Sequence, residues 1–380
     1  MNRLRRVAIV YKCLPQWRRR FFELLRDRLA REAIHLQLIY GQPGAKDATR
    51  KDTVDLEWAQ RIENRIVHFC GRELYWQPCL YFLRGADLVI VEQASKLLVN
   101  YVLQARYLLG GTKFAFWGHG KNFAQYDSHW LGEFLKHRVS RRVHWWFAYN
   151  AKSAAVVQSL GFPADRTTLT QNAIDTRALI AATRRFDPSA LRGLCDVLQL
   201  RGRNVCLYAG AMYRDKRLLF LLEACELIRR WVPDFEMIFM GAGIDAGIVT
   251  EAAMRHSWIK YIGPKFDQEK VPYFMLSKLF LMPGVVGLAV LDAFALAVPL
   301  VTTAVPGHGP EIDYLDDGTN SILVQQMQSP AAYARTVAEL LRDEQRRQLL
   351  IEGCRAAAEI YTVENMVERF AAGVTQALAA

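Results

Sequence analysis

Short runs of β-branched and aromatic residues alternate along the chain with segments whose apolar positions recur every three or four residues. Val7 to Tyr11 reads as a strand, and the segment after it places Phe22, Leu25 and Leu29 on one helical face. The same pattern predicts strands at His35 to Tyr40, Arg65 to Phe69, Asp87 to Val91, Lys113 to Trp117 and Trp145 to Tyr149. It stops over the polar, proline-containing stretch Ala181 to Leu200 and resumes at Asn204 to Gly210. Strands then recur at Phe235 to Met240, Ile259 to Ile262, Lys278 to Met282 and Pro299 to Thr302, each ahead of a helix pattern. The final segment, Thr362 to Leu378, carries an apolar face at Val363, Met366, Phe370 and Val374. Because the strand runs are continuously apolar, they belong in parallel sheets covered by helices on both faces. The expected fold class is α/β: two doubly wound, parallel-sheet, Rossmann-like domains facing a cleft. Their expected extents are 1–185 and 186–360, with a helix over 361–380 crossing back to the first domain. In such folds ligands meet the carboxyl ends of strands, so the chemistry should follow the strands.

Composition narrows the class without naming an activity. With 380 residues, 52% hydrophobic and 23% charged, the chain is neither disordered nor collagenous. Its formal charge of +11 is unevenly spread: 28 basic and 15 acidic residues lie up to Ile180, leaving 21 and 23 beyond. A basic first half points to acidic partners. Seven cysteines form no C-x-x-C pair, which fits a reducing compartment. The apolar run near the N-terminus is too short for a signal-peptide core. Val285 to Val305 carries Asp292 and Pro299 internally and reads as a helix followed by a buried strand rather than a membrane span.

Several segments could carry chemistry. Tyr208-Ala-Gly-Ala-Met-Tyr-Arg-Asp-Lys-Arg217 lies between a strand and a long helix pattern. Cations at a helix start are disfavoured by its dipole unless an anion binds there, so Arg214, Lys216 and Arg217 form either a phosphate site or a solvated basic loop. In Pro283 to Pro299, Gly284 and Gly287 allow close backbone approach, and Asp292 is the sole charge of an apolar helix. That carboxylate either pairs internally or binds a ligand hydroxyl. Phe116-Trp-Gly-His-Gly120 sets His119 at a strand end between two glycines, as a functional group or as a histidine bonding a loop. Of the loop Leu14-Pro-Gln-Trp-Arg-Arg-Arg-Phe21, with Gln16 in its path, three successive arginines cannot share one face, and Arg18 stands nearest the strand. Asp313 to Gly318 reads as a turn into a strand rather than a metal site. Lys136 to Trp146, with Trp130 and Phe134 upstream, mixes basic and aromatic residues; it is a surface helix, a bilayer contact or a nucleic-acid contact.

The order and spacing of these segments resemble the retaining GT-B glycosyltransferases of family four, which make bacterial surface polysaccharides, most closely over Tyr208 to Leu323. That family's G-R-x4-K clamp, G-x-G turn, E-x7-E signature, proline-led strand and acidic turn have counterparts here. They are Gly210 to Lys216, Gly241-Ala-Gly243, Gly284 to Asp292, Pro299 to Thr303, and Pro310-Glu311-Ile followed by Asp317-Gly-Thr-Asn320. Ala211 replaces the clamp arginine, Gly284 the first glutamate and Asp292 the second. Asn172-Ala-Ile-Asp175 resembles the family's turn into the interdomain linker.

The resemblance implies that Lys216, with Arg214 or Arg217, meets the diphosphate of a nucleotide-sugar, and that Asp292 holds its ribose. Loop amides at Val285, Gly287 and Leu288 would contact the sugar, and Glu311 would take over part of the missing acid unless it only complements a helix dipole. His119 would position the reactants, Gln16 and Arg18 would approach the phosphate or acceptor, and Pro264 beside Gly263 would bear on base choice. The implied activity is a hexosyltransferase moving sugar, with retention, from a nucleotide-diphosphate sugar to a lipid-linked or polysaccharide acceptor in exopolysaccharide or lipopolysaccharide-type synthesis. It implies no cofactor, no metal and no nucleic acid, and a cytoplasmic protein peripheral to an anionic membrane surface. The alternative is an inactive GT-B scaffold that binds nucleotide-sugar or a partner transferase.

Overall fold

The computed structural model describes residues 4–44, 53–69, 72–120 and 141–380. The chain divides into two compact units, one comprising Met1–Ile174 with Val363–Ala380 and the other Asp175–Thr362.

Among the described residues the first unit has nine strands: β1 (Arg5–Tyr11), β2 (Ile34–Tyr40), β3 (Gln60–Arg61), β4 (Arg65–Phe69), β5 (Arg72–Trp76), β6 (Leu88–Glu92), β7 (Lys113–Gly118), β8 (Trp145–Ala148) and β9 (Thr167–Leu169). Seven of them form a parallel sheet in the order β3-β2-β1-β6-β7-β8-β9. Val7 to Tyr11 are all buried because helices cover both faces of β1. The helix Arg19–Ala30 buries Phe21, Phe22, Leu25 and Leu29 as its periodicity predicts. The helix Val363–Ala379 packs beside it, with Phe370 stacked on Phe147 at 4.3 Å and edge-on to Trp117 at 5.0 Å. Its last carbonyls are capped from the sheet: Lys113 Nζ donates to Leu378 O at 3.0 Å and His144 Nε2 to Ala377 O at 2.8 Å.

Three sequence expectations change in and around this unit. Arg65 to Phe69 is a strand, but with β5 it forms a separate antiparallel ribbon, and Val67 and Phe69 stay exposed. Trp145 and Trp146 are core residues of β8, so they belong to no surface segment; Trp130, Phe134 and Lys136 to Ser140 lie outside the described residues. The stretch expected as an irregular boundary is helical, Thr176–Thr183 and Pro188–Leu198, and the division falls after Ile174 rather than after 185. Its helices start where the sequence supplies caps, since Asp175 accepts from Ala178 N and Asp187 accepts from Ala190 N ahead of Pro188.

The second unit contains β10 (Asn204–Ala209), β11 (Phe235–Met240), β12 (Ile259–Tyr261), β13 (Leu279–Leu281), β14 (Leu300–Thr303) and β15 (Ser321–Val324). All are parallel in the order β12-β11-β10-β13-β14-β15. The chain winds one way from β10 to β12 and the other way from β13, so the winding reverses between the adjacent strands β10 and β13. Ligand crevices of doubly wound sheets open at this reversal, beyond the strand ends. The loops leaving β10 and β13 are those singled out by their sequence. Among the described residues no helix is long and apolar enough to cross a membrane, and Val285 to Val305 contains the short helix Ala289–Ala295 followed by β14.

Candidate functional site

Glycines let the loops after β10 and β11 run backbone to backbone. Gly241 adopts φ 148°, and a Cβ there would lie 1.8 Å from Gly210 O; one on Gly243 would lie 2.1 Å from Met212 O. Met212 N donates to Ala242 O at 2.8 Å across this seam. The chain then makes a 3-10 turn at Arg214–Lys216, passes Arg217 in the left-handed region, and enters the helix Leu218–Trp231.

Lys216 points back to the loop after β13, where its ammonium donates to Val285 O. Val285 N in turn donates to Asp215 O at 2.9 Å, so the two loops are joined in both directions. Burial pushes the Lys216 ammonium down to about 8, against the attraction of Glu311 and Asp215. The loop after β14 completes the arrangement. His308 Nδ1 accepts from Val286 N at 3.1 Å, His308 Nε2 donates to Thr303 O at 2.8 Å, and Gly309 N donates to Val286 O at 3.2 Å. Glu311 stands on the same loop and is only 5% exposed. Thr303 Oγ1 donates to Pro283 O at 2.6 Å and receives Arg217 Nη1 at 3.2 Å. The Arg217 guanidinium lies 4.1 Å from the Phe220 ring centroid.

The fold therefore gathers Lys216, Arg217, Gly284, Val285 and Glu311 at the β10/β13 reversal. Glu311 is buried near enough to attract Lys216, and it also lies in the first turn of the 3-10 helix Pro310–Tyr314. Arg217 is turned toward Thr303 and Phe220, and Arg214 is exposed on the 3-10 turn. The expected row of free loop amides is shorter than the sequence implied, because Val285 N and Val286 N are already bonded. Gly287 and Leu288 make no amide hydrogen bond among the described residues, and a Cβ on Gly287 would meet nothing within 4 Å. Pro264 is exposed on the loop after β12, following Gly263 at φ 70°.

Asp292 takes the internal-pair alternative: Lys270 Nζ lies 2.6 Å from its Oδ1. Burial raises this carboxyl and Lys270 lowers it. Gly284 also acquires a structural reason. A Cβ there would lie 2.3 Å from Asp215 O and 2.6 Å from Lys216 Cα, both backbone atoms. Restoring the family's acid with Gly284→Glu is therefore expected to reduce activity and to cost ~1–3 kcal/mol of stability, as overpacking does. Urea unfolding alongside a donor assay checks this, and a stable, more active variant would refute it.

In the first unit the reversal lies between β1 and β6. Arg18 is fully buried, its guanidinium 4.5 Å from the Trp17 ring and 4.7 Å from that of Trp117, donating to Asn172 Oδ1 and, at 3.4 Å, to Met366 Sδ. The expectation that Arg18 reaches a phosphate is thus corrected, since none of its surface is accessible and it serves as a core cation. Asn172 of the Asn-Ala-Ile-Asp turn is what holds it. Gln16 opens the 3-10 turn Gln16–Arg18 and is partly buried. His119 follows β7 with its ring edge-on to Tyr149 at 4.2 Å. Burial and the nearby Arg18 charge push it down to about 4, so it is a neutral imidazole near pH 7. Sequence reasoning missed Glu92 at the end of β6, which accepts from Lys12 N and is pushed up by burial. Its signal was a lone carboxylate ending a strand. His308 carries no local sequence signature, because its two ring nitrogens bond segments that are distant in the chain or set by the loop's own fold.

Residues 203–343 match the profile of the family described as "Glycosyl transferases group 1". The spore coat protein SA of Bacillus subtilis (strain 168) is 24% identical over 175 residues, which is 43% of this chain and 46% of that relative, so the match spans under half of its length. Among solved structures, Anabaena Alr3699/HepE in complex with UDP superposes with a TM-score of 0.72 at 13% identity, covering 97% of this chain and 99% of that one. Sucrose-phosphate synthase from Thermosynechococcus elongatus gives 0.73 at 13% identity over 99% of each chain. WaaG, a glycosyltransferase involved in lipopolysaccharide biosynthesis, gives 0.66 at 14% over 96% and 98%. The chain thus has the two-sheet α/β fold of the GT-B glycosyltransferases.

Proposed function

We propose that this chain is a glycosyltransferase that takes a nucleotide-diphosphate sugar as donor and transfers a hexose, with retention and without a metal, to a lipid-linked or polysaccharide acceptor. The observation that carries the reading is Lys216: a cation held in a largely buried position at the β10/β13 reversal, inside the segment that matches the group 1 profile. An ammonium kept there costs desolvation, and an anionic ligand offsets that cost. As the sugar–phosphate bond breaks, charge accumulates on the leaving diphosphate. Lys216, held by the carbonyl of Val285 on the loop that carries the Gly287 and Leu288 amides, would stabilise that charge. HepE forms crystalline complexes with UDP and with UDP-glucose, which supports a nucleoside diphosphate here.

The acceptor side of the reading rests on charge. The first unit holds 28 basic against 16 acidic residues, net +12, whereas the second holds 21 against 22. Its ribbon β4–β5 also exposes Val67 at 52% and Phe69 at 65%. A net-basic unit that also exposes apolar side chains suits the surface of an anionic membrane, and the six described cysteines are all free thiols, which suits its cytoplasmic side.

Thermal melting with UDP-, GDP- and ADP-sugars tests the donor assignment, because a ligand at 100 times its dissociation constant adds about 2.7 kcal/mol of stability. No stabilisation by any of them defeats it. Tight binding without transfer to glycolipid extracts or hydrolysis selects the scaffold reading instead, which Ala211 and Gly284 motivate. Sedimentation with phosphatidylglycerol vesicles should weaken as salt rises, and a salt-independent result defeats the membrane part.

A further inference from the structure

We infer that His308 is a positioning residue for donor binding, acting as a neutral bridge that holds the loop after β13 in its binding conformation. The inference rests on the reading of this loop as part of the donor site. His308 is buried, and its two ring nitrogens are committed in opposite senses. Carbonyl oxygen only accepts, so the 2.8 Å contact with Thr303 O places the proton on Nε2. A backbone amide only donates, so the 3.1 Å contact from Val286 N makes Nδ1 the acceptor. The ring thereby ties the end of β14 to the loop after β13. Gly309 N closes the same junction by donating to Val286 O at 3.2 Å.

The effect passes to the donor site through one residue. Val285 is bonded on both sides to the β10 loop, its carbonyl by Lys216 and its amide by Asp215 O. Val286 is bonded on both sides to the β14 loop, its amide by His308 and its carbonyl by Gly309. Two consecutive residues thus carry four bonds to two different loops, and Gly287 and Leu288, whose amides bond nothing among the described residues, follow directly. Without the acceptor on His308, Val286 N becomes a buried donor without a partner, and the loop relieves this by shifting. Such a shift displaces the Val285 carbonyl that aims Lys216.

Two substitutions separate the halves of the bridge. In His308→Asn the side-chain oxygen takes the place of Nδ1 and keeps an acceptor for Val286 N. In His308→Gln the amide nitrogen takes the place of Nε2 and keeps only the donor toward Thr303 O. The Gln variant is expected to raise the donor KM and the UDP dissociation constant about tenfold, the scale on which an orphaned buried donor acts, and to lower kcat as well, because the displaced Lys216 acts on the charge of the leaving diphosphate. The Asn variant is expected to stay within about threefold of the parent, because the amide's partner survives. Equal behaviour of the two variants overturns the inference, as does a fall in kcat at constant KM. Hydrogen exchange of the Val286 amide, measured without ligand, should be fast in the Gln variant and slow in the parent and Asn proteins. Should either variant fail to fold, nitrogen NMR of the parent decides: an Nδ1–H tautomer or an imidazolium at neutral pH overturns the inference. If UDP, GDP and ADP all fail to bind the parent, the donor reading itself fails, a result distinct from a parent that binds and variants that bind equally.

Discussion

Lys216→Ala is expected to lower turnover by about a hundredfold or more, the scale seen when one preorganised donor to a developing charge is removed. The position of this side chain is fixed by the loop opposite, through Val285 O. Replacement by methionine should do nearly as much damage, because on the proposed reading the diphosphate would meet the charge and not the volume. A pH signature accompanies the substitution. Burial holds the ammonium at about 8 rather than its ordinary 10.5, so the charged form dominates below about 8 and is lost above it. Donor affinity should therefore fall as pH rises through 8 in the parent and lose that step in the Ala variant. Folding stability moves the opposite way. The unfolded chain keeps its proton up to 10.5 while the native one releases it near 8, so between these values the unfolded state binds more protons and stability rises with pH. Opposite slopes for binding and stability over one window identify a buried lysine that waits for an anion. Steady-state kinetics and urea titrations from pH 7 to 10 check this, and turnover within a few-fold of the parent across the range would remove Lys216 from the site.

What the sequence revealed and what it concealed divide along the range of the interactions involved. Lys216 was legible because a cation between a strand and a helix start is locally anomalous. Gly284 was legible as a turn glycine, but its reason is the backbone of Asp215 and Lys216, some seventy positions earlier and invisible to any local pattern. Arg18, Arg19 and Arg20 are identical in composition, yet only Arg18 is enclosed, by Trp117 and by Met366 of the final helix. Periodicity marks which face of a helix is apolar; it does not mark which cation a distant helix will cover. The same limit explains Trp145 and Trp146. Their basic neighbours suggested a surface, whereas β8 lies between β7 and β9 inside the sheet. Arg65 to Phe69 failed in the reverse direction, since an apolar run reads as a buried strand whether or not a sheet receives it. Strand order, which marks where the candidate site lies, emerges only from pairing over long separations.

Asp292→Ala is expected to destabilise the second unit by about 3 kcal/mol, the lower end for breaking a buried ion pair, because the Lys270 side chain retains 16% of its exposure. The loss would come mainly from Lys270, whose ammonium lies 2.6 Å from Asp292 Oδ1 and would lose that carboxylate while remaining mostly buried. Lys270→Met alone should also destabilise, by leaving the carboxylate in a buried place where its charged form is already disfavoured. The double variant Asp292→Ala with Lys270→Met should recover much of the loss, since neither charge then remains to be desolvated. This cycle separates two roles that share one side chain. If Asp292 also holds the donor ribose through its other oxygen, the double variant will be stable and yet bind UDP more weakly than the parent. Should the double variant bind as the parent does, the residue is structural, and the ribose contact implied by the glycosyltransferase resemblance belongs elsewhere in the site. Single substitutions cannot make this distinction, because unfolding and loss of a ligand contact both lower apparent affinity. Urea unfolding of all four proteins, with UDP titrations on those that fold, supplies both readings, and a stable Asp292→Ala protein would show that the pair contributes nothing to folding.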